Sequence, residues 1–214
     1  MKDLKSVKNE LQNIISGKSN SGQSNTIQAT KTYLRNCKET SGKAKGTKPE
    51  RAEEERALKE YAGSNQLLIK KEDIGTYITS GAEQKIFYKE NDTIVYKISD
   101  AVFYETGSDY LNNLLPHNYF FPDTAYTING FFEEDDKLLA VVQQPFVMHT
   151  GPTDLTLIKN HLLANGFLHK KNNDFYHPYL GIILEDLHDE NVLTNSGILF
   201  FVDTVFYLIE GFYK

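Results

Sequence analysis

Residues 185–192 read EDLHDENV, and twelve positions after Asn191 a single aspartate, Asp203, rises out of the apolar run FFVDT. Asp186, Asn191 and Asp203 are the residues here whose types could do chemistry. A carboxylate and an amide carbonyl are hard oxygen donors, the pair that suits Mg²⁺, an ion that keeps several waters and shares its other positions with phosphate. Asp203 and Asn191 supply that pair. Asp186, five residues before Asn191, is then placed to orient a hydroxyl and accept its proton. Taken alone, the same residues also read as an Asx-type turn and a solvated strand end. A metal-hydrolase reading would use His177, His188, Asp189 and Asp203. The separation of the two histidines, however, matches no helical i, i+4 zinc pattern.

The neighbouring elements must position these residues. VLTNSGILFFVDTVFYL reads as two apolar strands turning at Asn195-Ser196-Gly197, which brings Asn191 and Asp203 to one end of a hairpin. Ahead of it, PTDLTLIKNHLLANGF predicts a helix capped by Thr153 or Asp154. Leu155, Ile158 and Leu162 form its apolar face, and Asn165-Gly166 stops it. Further upstream, TYIT, QKIFYKE and TIVYKI are strand-like and joined by short turns. Tyr110, Leu111, Leu114 and Leu115 then recur at helical intervals up to Pro116, and TAYTINGFFEED and KLLAVVQQPFV are two more strands turning at Asp135-Asp136. The order is three strands, a helix and two strands. In TIVYKI, Lys97 shares a side with Val95, which favours an inward, paired lysine.

Residues 1–65 have another texture. SGKSNSGQSN and SGKAKGTK carry too little apolar surface to offset chain entropy. Two helices are expected within this arm. One is LKSVKNELQNII, with Leu4, Val7, Leu11 and Ile14 or Ile15 on a face. The other follows Thr47 as N-cap, with Pro49 in its first turn, Glu50 as the capping-box partner, and Leu58, Tyr61 and Ala62 to pack. The first 60 residues carry 13 Lys+Arg against 8 Asp+Glu, whereas the whole chain is −6. With one aromatic and no Arg-rich run, this basic arm reads as a solvated linker rather than a nucleic-acid binder. A single cysteine, Cys37, suits a reducing compartment. No stretch reaches the roughly 20 apolar residues of a membrane-spanning helix. The expected location is the cytoplasm.

The spacing Asp186-x4-Asn191 followed by Asp203 resembles the catalytic loop and metal-binding aspartate of the protein-kinase-like superfamily. The DLHxxN wording is nearer to its aminoglycoside and choline kinase branch. More narrowly, SGAEQKIFY, LLPHNYFFPDTAY, VVQQPFV and YLGIILEDLHDENVL resemble a compact kinase-like domain of polyvalent proteins from bacterial mobile elements, over about residues 66–206. That resemblance implies an α+β, two-lobed fold: a five-stranded antiparallel small lobe over 66–147 and a truncated C-terminal lobe over 148–214, preceded by the basic arm of 1–65. It implies ATP and Mg²⁺, with phosphate passed to a hydroxyl on a protein or small molecule. By the same resemblance Lys97 holds the α- and β-phosphates, Gly81 lies in the loop that covers them, and backbone groups of Gln144 to Val147 meet the adenine edge. Asn191 and Asp203 hold the metal, and Asp186 aims the acceptor. The helical glutamate that partners the lysine is Glu105, with Glu83 as competitor. The departures are a phosphate loop with one glycine, DTV in place of DFG, and eleven residues after Asp203. These keep a non-catalytic nucleotide-binding or scaffold module open as the alternative.

Overall fold

The computed structural model describes residues 3–19, 25–41, 48–81, 84–90, 93–99 and 106–214, with backbone alone at 38–41 and 48–50. Thr47, Glu83 and Glu105, expected as a helix cap and as candidate lysine partners, lie outside the described residues. The chain is α+β and divides into two compact units. One comprises 20–111 and 125–146; the other comprises 1–19, 112–124 and 147–214. These boundaries differ from the sequence partition, because the arm of 1–65 is shared between the units and residues 112–124 leave the surrounding strands.

In the unit of 20–111 and 125–146, five antiparallel strands form one sheet: β1 (Thr76–Ser80), β2 (Lys85–Tyr88), β3 (Ile94–Ser99), β4 (Thr127–Glu134) and β5 (Lys137–Pro145), in the order β1-β2-β3-β5-β4. Asp135 and Asp136 both take positive φ, 51° and 62°, as a tight hairpin turn requires. Ile74, Phe87, Tyr96, Ile98, Phe132, Leu139 and Val141 form the core of this sheet. The expected strands therefore lie where their β-branched and aromatic residues put them.

Two helices cover this sheet, α2 (Asn25–Ser41) and α3 (Lys48–Ser64). Sequence composition predicts no α2. Its Thr- and Asn-rich wording hides a face of Ile27, Thr30 and Leu34, at spacings of three and four, that is buried in the fold. Tyr33 meets Tyr61 of α3 with centroids 4.9 Å apart, and Ile128 N–H donates to the Thr26 hydroxyl at 3.3 Å. In α3, Ala57 and Ala62 are buried, together with Glu54, whose Oε2 accepts from the Gly107 amide at 2.9 Å. Glu54 thereby satisfies one of the orphan donors at the start of α4 (Gly107–Phe120).

The other unit gathers three distant stretches. Its strands are β6 (Leu168–His169), β7 (Phe175–His177), β8 (Ile182–Glu185) and β11 (Val205–Leu208), in the order β11-β8-β7-β6, beside a separate hairpin of β9 (Val192–Asn195) and β10 (Ile198–Phe201). The helix α5 (Leu155–Ala164) is capped by Asp154, which accepts from Thr156 N–H at 2.8 Å. Ile158 and Leu162 are buried as expected, but Leu155 is 44% exposed. Pro116 does not end α4. The helix runs on to Phe120, although proline removes one helical amide. Side-chain bonds made by His117, described below, hold that last turn.

The amphipathic first helix, α1 (Leu4–Ser16), belongs to this unit and not to a free arm. Leu11, Ile14 and Ile15 are buried while Leu4 is exposed. Roughly 2 kcal/mol per buried large aliphatic side chain outweighs the marginal stability of an isolated 13-residue helix. Polar bonds fix its register: Lys8 Nζ donates to Gly211 O at 2.7 Å, Gln12 Nε2 to Phe212 O at 2.5 Å, and Glu10 accepts from the Tyr119 hydroxyl at 2.7 Å. Burial, and then the carboxylate of Glu10, push the Tyr119 hydroxyl well above its usual range, so it remains a donor.

The same C-terminal segment closes on Gly181, which sits at φ 71° with Ile209 N–H donating to its carbonyl at 3.0 Å. A Cβ there would lie 2.2 Å from Phe212 N and 2.5 Å from Gly211 C. Gly197, at φ 82° in the hairpin, has open space around it. Gly181→Ala is therefore expected to destabilise by about 2–3 kcal/mol, from backbone clash plus strain, and Gly197→Ala by about 1 kcal/mol from strain alone. Urea denaturation of the two variants checks the order.

His177 supplies a pH dependence. It is buried, its Nδ1 accepts from Leu180 N–H at 3.2 Å, and its Nε2 has no hydrogen-bond partner. Desolvation lowers its pKa below the ordinary 6.5. The unfolded chain then binds the proton at higher pH than the native one, so this contribution is complete above about pH 6.5 and is lost as pH falls toward the lowered native value. Denaturation midpoints compared at pH 7.5 and 5.5 should fall in the wild type, and should fall less in His177→Gln.

Candidate functional site

The loop after β8 is built around one amide. Asn191 is buried, and its Nδ2 donates to Asp186 O at 2.8 Å and to Asp186 Oδ2 at 2.8 Å. Both amide hydrogens are thus committed, which leaves Oδ1 as the atom able to serve a cation. The turn between them is closed by backbone bonds, from Asn191 N and Val192 N to His188 O at 3.0 and 2.9 Å. Asp186 takes φ 64°, a left-handed conformation that aspartate tolerates better than most side chains. Leu187 anchors the loop in the core.

Asp203 reaches this loop by two routes. The Asn191 carbonyl accepts from Val202 N at 2.9 Å and from Asp203 N at 3.2 Å, at the open end of the β9–β10 hairpin. Beyond Asp203 the chain does not continue that hairpin. Instead β11 crosses to pair with β8, with Val205 opposite Glu185. The strand that ends just before Asp186 and the strand that begins just after Asp203 are therefore neighbours. The hairpin turn has Ser196 and Gly197 at φ 49° and 82°.

His188 Nε2 lies 3.3 Å from Asp186 Oδ1, and its Nδ1 accepts from Glu190 N–H at 3.3 Å. Asp189 and Glu190 are exposed and rim an open cavity of about 570 Å³ whose other lining residues include His149, Thr150, Thr153 and Leu193. Gly151 bridges to Thr194, and the Thr153 and Thr194 hydroxyls bond at 2.9 Å, which fastens that wall to β9. Among the described residues, no three His, Cys, Asp or Glu side chains gather as a metal site. His177 packs against Phe167 with centroids 5.2 Å apart, in a buried setting of its own.

The unit of 20–111 and 125–146 holds the other expected residues. Lys97 on β3 is only 3% exposed; its Nζ donates to the Tyr126 hydroxyl at 3.3 Å and lies 5.2 Å from that ring's centroid. An ammonium so buried needs such company. Gly81 closes the β1–β2 connection, with its N–H donating to Gln84 O at 3.0 Å, and no described atom lies within 4 Å of a Cβ built there. Gln144 is buried on β5 opposite Val95. Phe146 N donates to Thr93 O at 2.8 Å. The chain passes from this unit to the other between Phe146 and Val147. No described residue hydrogen-bonds to the backbone of Val147.

Sequence reading missed the wall behind Asp203. His117 is fully buried. Its Nδ1 lies 2.9 Å from the Thr204 hydroxyl and its Nε2 lies 3.0 Å from the Thr124 carbonyl. Phe206 N donates to Asn113 Oδ1 at 2.5 Å, and Phe121 stacks on Phe201 with centroids 4.1 Å apart. Tyr126, beside Lys97, was also missed. The available signal was polar residues set among apolar ones in NNLLPHNYFFPDTAY.

The α+β fold, the five-stranded antiparallel sheet and the Asp186–Asn191–Asp203 cluster can be set beside known proteins. Residues 51–210 match the family described as Serine/Threonine/Tyrosine Kinase found in polyvalent proteins, Kinase-PolyVal. No curated protein and no solved structure matches the chain. Among the described residues no helix is long and apolar enough to cross a membrane. A match over most of the chain shows the family, and the protein belongs to the kinases found in polyvalent proteins.

Proposed function

We propose that the protein is an ATP- and Mg²⁺-dependent phosphotransferase that passes the γ-phosphate to a hydroxyl acceptor. The observation that carries this reading is the hydrogen-bonded set of Asp186, Asn191 and Asp203, in which Asn191 joins the acceptor-side carboxylate through its side-chain amide and the metal-side segment through its main-chain carbonyl. The donor set fits Mg²⁺: the Asp203 carboxylate and Asn191 Oδ1 are hard oxygens, with the Asn191 hydrogens turned to Asp186. Bound there, the ion would neutralise charge on the phosphates. Asp186 orients the acceptor hydroxyl and takes its proton.

The remaining roles follow the same chemistry. Lys97 binds the α- and β-phosphates as a buried cation held by Tyr126. No described atom lies within 4 Å of a Cβ built at Gly81, which suits close approach of a phosphate to its backbone. Backbone groups from Gln144 to Val147 meet the adenine edge, and no described residue hydrogen-bonds to the backbone of Val147. Residues 66–147 act as the small lobe and 148–214 as a shortened large lobe. The family's description as a serine/threonine/tyrosine kinase supports a protein hydroxyl as acceptor.

One observation favours a nucleotide-binding module of pseudokinase type instead. Both Asp186 oxygens already have a neighbour within the loop, Oδ2 the Asn191 amide and Oδ1 the His188 imidazole, so an acceptor hydroxyl must share an oxygen with one of them. Two variants separate the readings. In calorimetric titration with ATP, the wild type should bind at least about tenfold more tightly with Mg²⁺ than in EDTA, and Asp203→Ala should lose that gain. Asp186→Ala should keep Mg²⁺-ATP binding and lower phosphate transfer by roughly 10²–10⁴-fold. Binding without any transfer by the wild type, its own hydroxyls included, would leave the module reading standing.

A further inference from the structure

Thr204 follows Asp203 directly, is 2% exposed, and carries its hydroxyl toward an imidazole on another element. Nε2 of His117 faces the Thr124 carbonyl at 3.0 Å, and a carbonyl can only accept, so the hydrogen of the neutral ring is on Nε2. Nδ1 is then the acceptor, and Thr204 Oγ1 donates to it at 2.9 Å. The chain of bonds continues on the other side of Asp203. The Thr124 hydroxyl, 3.3 Å from Nε2, donates to the Phe201 carbonyl at 2.6 Å. One imidazole therefore links the backbone two residues before Asp203 to the side chain one residue after it.

We infer that His117 is a positioning residue for Asp203: through Thr204 and Thr124 it holds the 201–204 segment so that the carboxylate meets the metal site in a fixed direction. The assignment rests on the reading of Asp203 as a metal ligand. Packing alone does not call for this arrangement. The wall around it is already apolar, with Phe121 stacked on Phe201 at 4.1 Å and Phe120 on Phe206 at 5.8 Å. A ring without nitrogens would fill the same volume and spare the desolvation of two polar groups. What the imidazole adds is direction. Between β10 and β11 the Asn191 carbonyl holds Val202 N–H and Asp203 N–H, and the His117 and Thr124 side chains hold the residues on either side of them. A carboxylate misdirected by one torsion loses much of its worth to Mg²⁺, which tolerates little deviation from octahedral geometry.

The two nitrogens can be tested separately. Asn places Oδ1 where Nδ1 was and keeps the acceptor for Thr204; Gln places an amide donor near Nε2 and keeps the bond to Thr124. The measurement is ATP affinity by calorimetry with saturating Mg²⁺ and with EDTA, alongside thermal melting. Thr204→Val, which keeps shape and loses the hydroxyl, and His117→Phe should each weaken Mg²⁺-dependent affinity by roughly tenfold while leaving affinity in EDTA unchanged. Their double variant should be no weaker than His117→Phe alone, because Thr204→Val removes a bond that His117→Phe has already removed. His117→Asn should recover most of the loss and His117→Gln should not.

Equal losses with and without Mg²⁺, tracking the melting temperature, would reduce His117 to a core residue and overturn the assignment. So would a Thr204→Val protein with wild-type Mg²⁺ dependence. If Mg²⁺ makes no difference to ATP binding in the wild type, the reading of Asp203 itself fails, and the role of His117 falls with it.

Discussion

Asn191 has two amide hydrogens, and both are spent on Asp186. That commitment orients the side chain so that its carbonyl oxygen remains for other use, and it pins a left-handed aspartate that the backbone alone would not favour. The main-chain carbonyl of the same residue accepts from Val202 and Asp203. A single buried asparagine thus governs the loop on one side and the returning strand on the other. Replacing its side chain would remove both bonds to Asp186, while the main-chain carbonyl would still hold Val202 and Asp203.

The strands exist in this unit to deliver those two ends. Pairing of β8 with β11 brings the approach to Asp186 beside the exit from Asp203, while β9 and β10 carry the chain between them. Behind this lies the second half of α4, whose Asn113 and His117 bond to Phe206 and Thr204. The helix in turn rests on α1 through Tyr119 and Glu10, and α1 holds the C-terminal turn through Lys8 and Gln12. Three stretches far apart in sequence meet in one unit, so its stability depends on contacts of long sequence separation. Such units form late relative to local hairpins.

Several buried polar groups orient a neighbouring element. Glu54 caps α4, Tyr126 accompanies Lys97, and Asn113, His117 and Thr204 fasten the strand after Asp203. Apolar side chains would have packed these positions at less cost in desolvation.

The five-stranded sheet was legible in the sequence because alternation and turn residues are local. Asp135-Asp136 and Ser196-Gly197 announce positive φ wherever they stand. Asp186, Asn191 and Asp203 were legible for the same reason, as polar residues at fixed spacings beside apolar runs. α2 was not, since threonines and asparagines conceal its buried face until α3 and β4 are there to cover it. Nor was the continuation of α4 past Pro116, where a lost amide is outweighed by tertiary bonds to His117. By itself the sequence determined most of the local elements and the spacing of the candidate site residues, because those depend on residues a few positions apart. Only tertiary structure decided that α1 joins the C-terminal unit, that β11 leaves the hairpin for β8, and that a histidine 86 positions before Asp203 stands behind it. Those outcomes rest on burial and hydrogen bonding between distant segments, which no local pattern encodes.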